Sequence, residues 1–305
     1  MRAPWRLPAL VLATACGRGP VFIDPRVVQG DDGDDGDAST SIAATTGEPP
    51  PGCDLDSHEI DCDGDGIPDR DDPFPTDPDR PGRAAPDVIY VHSAATLSWL
   101  DPLDPVPVFI NEFRFPEGPD GQVVDIAIDR FGVLYAISNA VLHVCDPVSA
   151  TCWALGDLPA NSLAMLPEGT IETDDDTLVA LAGSTWTVGR LRGPELTLEE
   201  IAGVSPYESR GDIATAANGL TVFTSPSASG DVVVAIEAAT GKLLGEVAVL
   251  PASTGLYGAA AANGSLWLFD QLGTMWVMDP TTGASAVVGI DPAGIWGAAA
   301  HPDLR

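Results

Sequence analysis

Lysine is almost missing from this chain. Lys242 stands alone among 305 residues, and 14 basic side chains face 45 acidic ones, for a formal net charge of −31. That excludes a coiled coil built on Glu, Lys and Leu. It also excludes the basic face that nucleic-acid binding demands. Histidine is scarce, with four (His58, His92, His143, His301), and neither His-Glu-x-x-His nor Gly-x-Ser-x-Gly occurs. The apolar run nearest the start, Leu7–Ala15, is too short to cross a bilayer. Only 19% of residues are charged and 45% are hydrophobic, so disorder throughout is excluded as well. What is abundant is glycine (32) and proline (28), the mark of a turn-rich chain long enough for one or two domains.

Residues 1–15 carry Arg2 and Arg6, then the apolar stretch, then small residues before Cys16. This is the order of a secretory signal. The small residues followed by Cys16 resemble a bacterial lipobox, with Ala13 where Leu is usual and Leu12 one place further out. The resemblance implies lipidation of Cys16, anchoring to a membrane, and an exported bacterial lipoprotein of the outer membrane or cell surface. Without Cys16, four cysteines remain in two close pairs, Cys53/Cys62 and Cys145/Cys152, which an exported chain can oxidise. Residues 16–52 hold Asp31-Asp-Gly-Asp-Asp-Gly-Asp37 and Pro49-Pro-Pro51. Acid repulsion and proline stiffness predict a disordered, solvated tether.

The sharpest motif is Asp61-Cys-Asp63-Gly-Asp65-Gly66-Ile67-Pro68-Asp69-Arg70-Asp71-Asp72. Carboxylates fall at loop positions 1, 3, 5, 9 and 12 with glycine at 6. Ca2+ takes about six to eight oxygens, and such a loop supplies them from Asp61, Asp63, Asp65, Asp69, Asp72 and the Ile67 carbonyl. Pro68, Pro73, Pro75 and Pro78 forbid the helix that would follow in an EF-hand. The run from Asp61 to Pro78 resembles a thrombospondin type 3 calcium repeat, within a loop segment spanning 53–80. The family usually carries several copies; this chain has one. A Cys53–Cys62 ring would brace the loop.

Residues 85–305 repeat. Short apolar runs start at Ile89, Leu134, Leu178, Thr221 and Leu266, at spacings of 45, 44, 43 and 45 residues. Asp/Pro/Gly turns follow in matching places, such as Cys145-Asp-Pro-Val-Ser-Ala-Thr-Cys152 and Met278-Asp-Pro-Thr-Thr-Gly283. A unit of this length with three or four strands is a propeller blade. The repeats resemble bacterial propellers of the YVTN and quinoprotein-like kind. Trp296-Gly-Ala-Ala-Ala-His301 matches the innermost strand at Tyr257-Gly-Ala-Ala-Ala-Ala262, and the first unit lacks an innermost strand. The expectation is an all-β, five-bladed β-propeller closed by the C-terminal strand, with Cys145 and Cys152 paired across a hairpin.

Two function classes remain. One is a monomeric, lipid-anchored, calcium-binding display module whose ring binds protein or glycan. The other is a glycoside hydrolase using Asp125 and Asp212, which begin innermost strands and would point into the channel. An aspartate opening a strand also caps backbone amides between blades, and Gly258 and Gly297 stand at the matching positions elsewhere. No catalytic residue is assigned. Arg210-Gly-Asp212 spells an adhesion tripeptide but falls at a strand start. Of the propeller tryptophans (Trp99, Trp153, Trp186, Trp267, Trp276, Trp296), any left exposed would favour sugar.

Overall fold

The structure is a computed structural model describing residues 57–118, 121–250, 253 and 255–305. The signal segment, the tether, Cys16 and Cys53 lie outside the described residues. Five four-stranded antiparallel sheets make up the ring. Blade one takes β1 (Ile89–His92), β2 (Thr96–Asp101) and β3 (Asp104–Glu112). Blade two takes β4 (Val123–Ile128), β5 (Leu134–Ser138), β6 (Val141–Cys145) and β7 (Cys152–Asp157). Blade three takes β8 (Ser162–Leu166), β9 (Thr177–Ala182), β10 (Thr185–Arg192) and β11 (Glu195–Gly203). Blade four takes β12 (Ile213–Thr215), β13 (Thr221–Ser227), β14 (Gly230–Glu237) and β15 (Lys242–Leu250). Blade five takes β16 (Leu256–Ala262), β17 (Ser265–Asp270), β18 (Thr274–Met278) and β19 (Ser285–Ile290). The last strand, β20 (Gly297–Ala300), returns to blade one and pairs with β1, Tyr90 opposite Ala299. The ring is therefore a five-bladed propeller closed by its C-terminal strand, and closure removes two free sheet edges. Among the described residues no helix is long and apolar enough to cross a membrane.

The five repeated runs are the second strands, β1, β5, β9, β13 and β17. Each is covered on both faces by neighbouring blades, so its apolar residues run on without alternation; β5 is buried at every position. Outer strands such as β3 face water and alternate loosely. One apolar layer fills each gap between blades. Tyr90 and Leu97 meet Ile126 and Leu134, and Tyr135 and Leu142 meet Leu163 and Leu178. Trp186 meets Phe223, Val222 meets Leu266 and Trp276, and Phe269 meets Ile89 and Leu100. The axis is crowded, so the innermost strands use small side chains: Ala127, Ala164, Ala214, Ala259–Ala262 and Ala298–Ala300.

Cys145 and Cys152 are opposite each other in the β6–β7 register and are joined by a disulfide. Met278 and Ser285 hold the same register in blade five. The bridge closes a loop of sequence separation 7. Chain-entropy reasoning makes it worth about 2–3 kcal/mol. The Cys145→Ala/Cys152→Ala chain should therefore unfold at lower urea; equal midpoints would show that the hairpin needs no staple.

Candidate functional site

Innermost strands begin on one face of the ring, here the upper, and end on the lower. The acidic loop sits on the lower face. Its turns are set by its own side chains. Asp61 accepts from Gly64 N (2.7 Å) and Gly66 N (3.0 Å), Asp65 from Ile67 N (2.7 Å), and Asp63 from Asp65 N (3.2 Å). Asp69 accepts from Cys62 N (2.7 Å) and Asp72 from Phe74 N (2.7 Å). Gly64 and Gly66 hold φ of +82° and +92°, which L side chains rarely adopt. In three of these carboxylates the second oxygen is buried and has no hydrogen-bond partner: Asp63 Oδ2, Asp69 Oδ2 and Asp72 Oδ2. Asp61, Asp63 and Asp65 offer carboxylate oxygens all within 4.8 Å of one another. Burial, and then Asp65, Asp63 and Asp69, push the Asp72 carboxyl up to about 8. Burial also raises Asp63 and Asp65. Buried polar oxygens without partners are costly, and this donor set of hard oxygens fits a divalent cation of the Ca2+ kind. Ile67 places its side chain, fully buried, in the apolar layer between blades two and three. Cys62 is disulfide-bonded.

The loop is fastened to the ring by contacts that no local pattern announces. Gly193 N, in the β10–β11 turn, donates to Arg70 O (2.7 Å), and Ala84 N donates to Gly132 O (2.7 Å). The Arg70 guanidinium pairs with Asp175, and His58 bridges Asp71 (3.2 Å) and Asp175 (3.1 Å). Phe74 packs edge-on against Trp153 with centroids 5.4 Å apart, and the Arg80 guanidinium lies 5.0 Å from the Trp153 centroid. The irregular Thr173–Thr177 stretch of blade three is thus the loop's dock.

The channel carboxylates are placed differently. Asp125 and Asp212 are fully buried. Asp125 accepts from Ile126 N (2.9 Å) and Leu163 N (2.6 Å), tying β4 to β8. Asp212 accepts from Ile213 N (2.6 Å), Ala259 N (2.7 Å) and Ala298 N (2.9 Å), tying β12 to β16 and β20. Burial raises both carboxyls well above the ordinary range, and Asp212 adds to the rise of Asp125. His92, 1% exposed, donates from Nδ1 to Ser93 O (2.8 Å) and is lowered to about 4 by burial. A Cβ on Gly297 would lie 2.3 Å from His92 Nε2 and 2.6 Å from Asp125 Oδ1, so only glycine fits there. Below them the channel keeps a cavity of about 30 Å³, room for a water or two, with Arg305 reaching Met165 O (3.1 Å) at its lower end. The aspartate of Arg210-Gly-Asp212 is closed to any partner. The other histidines are structural: His143 packs edge-on with Phe115 at 4.8 Å, and His301 accepts from Asp303 N (3.1 Å).

No protein-family model and no curated protein sequence matches the chain. Among solved structures, similar ones include a nidogen/laminin complex (9% identity, 72% of this chain and 82% of that one, TM-score 0.47). A putative gluconolactonase is similar at 14% identity, 70% and 82% coverage and TM-score 0.46. BamB from Moraxella catarrhalis follows at 15% identity, 67% and 59% coverage and TM-score 0.35. Similarity this low says nothing of activity.

Proposed function

We propose that this chain is a calcium-binding display module of a bacterial envelope, anchored through Cys16, whose ring binds protein or glycan. One observation carries the reading: the loop carboxylates and the channel carboxylates are used in opposite ways. Asp63, Asp69 and Asp72 each keep a buried oxygen without a hydrogen-bond partner, which supports a cation there. All four oxygens of Asp125 and Asp212 accept backbone N–H groups. A glycosidase acid and base must reach the scissile oxygen and a water, whereas these two carboxyls are fully buried. The chain enters the ring on the lower face, where His58 meets Asp175.

Calorimetric titration of the full chain with CaCl2 tests the metal half. One saturable site is expected, with affinity at least tenfold weaker in Asp65→Ala; equal affinity in the two would remove the site. Incubation of the full chain with a glycan panel tests the other half. Release of reducing sugar would replace binding by glycoside hydrolysis.

A further inference from the structure

We infer that the upper mouth of the channel is a binding site for a neutral pyranose residue, an inference that rests on the binding-module reading. A cavity of about 200 Å³ opens there, lined by Val124, Asn161, Arg210, Tyr257, Gln271 and Trp296. Those residues come from the starts of innermost strands in all five blades and from the end of β17, so the closed ring alone assembles them. The size suits one sugar ring rather than a peptide segment.

Each wall has a part to play. Trp186, Trp267 and Trp276 are buried between blades, but Trp296 is only half-buried and shares the mouth with Tyr257. Their ring centroids lie 6.4 Å apart at 56°, forming an open angle of two aromatic faces. An aromatic face is electron-rich and attracts the polarised C–H groups on one side of a pyranose. The sugar's hydroxyl edge needs paired donors and acceptors, and these surround the rings. Asn161 Nδ2 donates to Ser209 Oγ (3.1 Å), which turns its carbonyl oxygen to serve as an acceptor. Gln271 is exposed and supplies both kinds of group.

Arg210 is held ready. Its Nε pairs with Asp231 (3.2 Å), and its guanidinium lies 5.9 Å from the Tyr257 centroid. Asp231 is itself fixed by Ser253 Oγ (2.8 Å), Gly255 N (2.9 Å) and Leu256 N (2.9 Å). A donor locked in place loses little entropy on binding. Neutrality follows from charge: Asp231 already offsets the one cation of the mouth, and a chain of net −31 repels acidic sugars at long range.

The test uses the full chain and methyl β-D-glucopyranoside, methyl α-D-mannopyranoside, methyl β-D-galactopyranoside and N-acetylglucosamine, read by saturation-transfer NMR and tryptophan fluorescence. At least one should saturate with Kd on the order of 1 mM, with transfer strongest to the C–H groups of one ring face. Trp296→Ala should weaken it about tenfold or more. Gln271→Ala, an exposed change that leaves the fold alone, should weaken it severalfold, and Trp99→Ala should not. Saturation by no pyranoside, or binding unchanged in both Trp296→Ala and Gln271→Ala, overturns the inference. Retention on periodate-oxidised bacterial envelopes separates the two readings. If it persists there and is lost after protease, the module binds protein and only the sugar site is wrong; if neither sugars nor envelopes bind, both readings fall.

Discussion

Adding Ca2+ to the calcium-stripped protein at pH 8 is expected to raise its melting midpoint by about 5–10 °C. Ligand at a hundredfold excess over Kd adds about 2.7 kcal/mol when it binds only the native state. In a domain of this size each kcal/mol moves the midpoint by about 2–4 °C. The dependence on pH gives the prediction its sign. Without metal, the folded Asp72 keeps its proton up to about 8, against 3.8 for an ordinary aspartate. Between those values the native state binds more protons than the unfolded one, so stability falls as pH rises from about 4 to about 8. Asp129, pushed up to about 7 by burial, slopes the same way but lies outside the loop. Only the loop's share should respond to Ca2+, which replaces the proton on Asp72 and so stabilises more at pH 8 than at pH 5. Asp72→Asn should lose both the calcium gain and its pH dependence. Scanning calorimetry in EDTA and in CaCl2 at both pH values decides it: identical midpoints at pH 8 would mean that the free oxygens of Asp63, Asp69 and Asp72 hold no cation.

The ring was legible in the sequence because its second strands are sandwiched between blades. The runs at Ile89, Leu134, Leu178, Thr221 and Leu266 became β1, β5, β9, β13 and β17, and the closing role of Gly297–Ala300 followed from its likeness to residues 257–262 and from the first unit's missing innermost strand. The cysteine pair at 145 and 152 was legible for the same reason, since a hairpin sets its own register. The loop's dock was not. Thr173–Thr177 read as an irregular turn, yet Asp175 meets Arg70 across a sequence separation of 105. Nothing local marks a contact between residues so far apart in the chain. The mouth was hidden likewise: Asn161, Arg210, Tyr257 and Trp296 are scattered singly along the chain, and only closure makes them neighbours. Asp125 and Asp212 stood between, visible as strand openers, while the backbone amides that they accept from lie on strands far along the chain.

Those amides make Asp212 an expensive side chain to remove from the ring. Asp212→Ala strands three buried N–H groups, those of Ile213, Ala259 and Ala298, each on a different blade. An unsatisfied buried donor costs about 1–3 kcal/mol, so a loss of about 3–9 kcal/mol is expected, against a total stability of about 5–15 kcal/mol. Asp125→Ala strands two, and about 2–6 kcal/mol should go with it. Asparagine can keep the Ala259 and Ala298 bonds through its carbonyl oxygen, but its NH2 then faces the Ile213 N–H. The damage should appear first where the ring is closed: Ala298 belongs to β20, which is tied to the rest of blade one only through β1. Amide exchange at Ala298–Ala300 and Ile89–His92 should therefore accelerate in Asp212→Ala before exchange in β13 or β17 does, while the urea midpoint falls. This also fixes how a hydrolase claim must be judged. Loss of sugar release in Asp212→Asn would mean nothing by itself, since an opened ring loses every activity. A variant that kept its urea midpoint and its β20 protection yet lost release would show a free carboxylate at the axis, and would return the channel to catalysis.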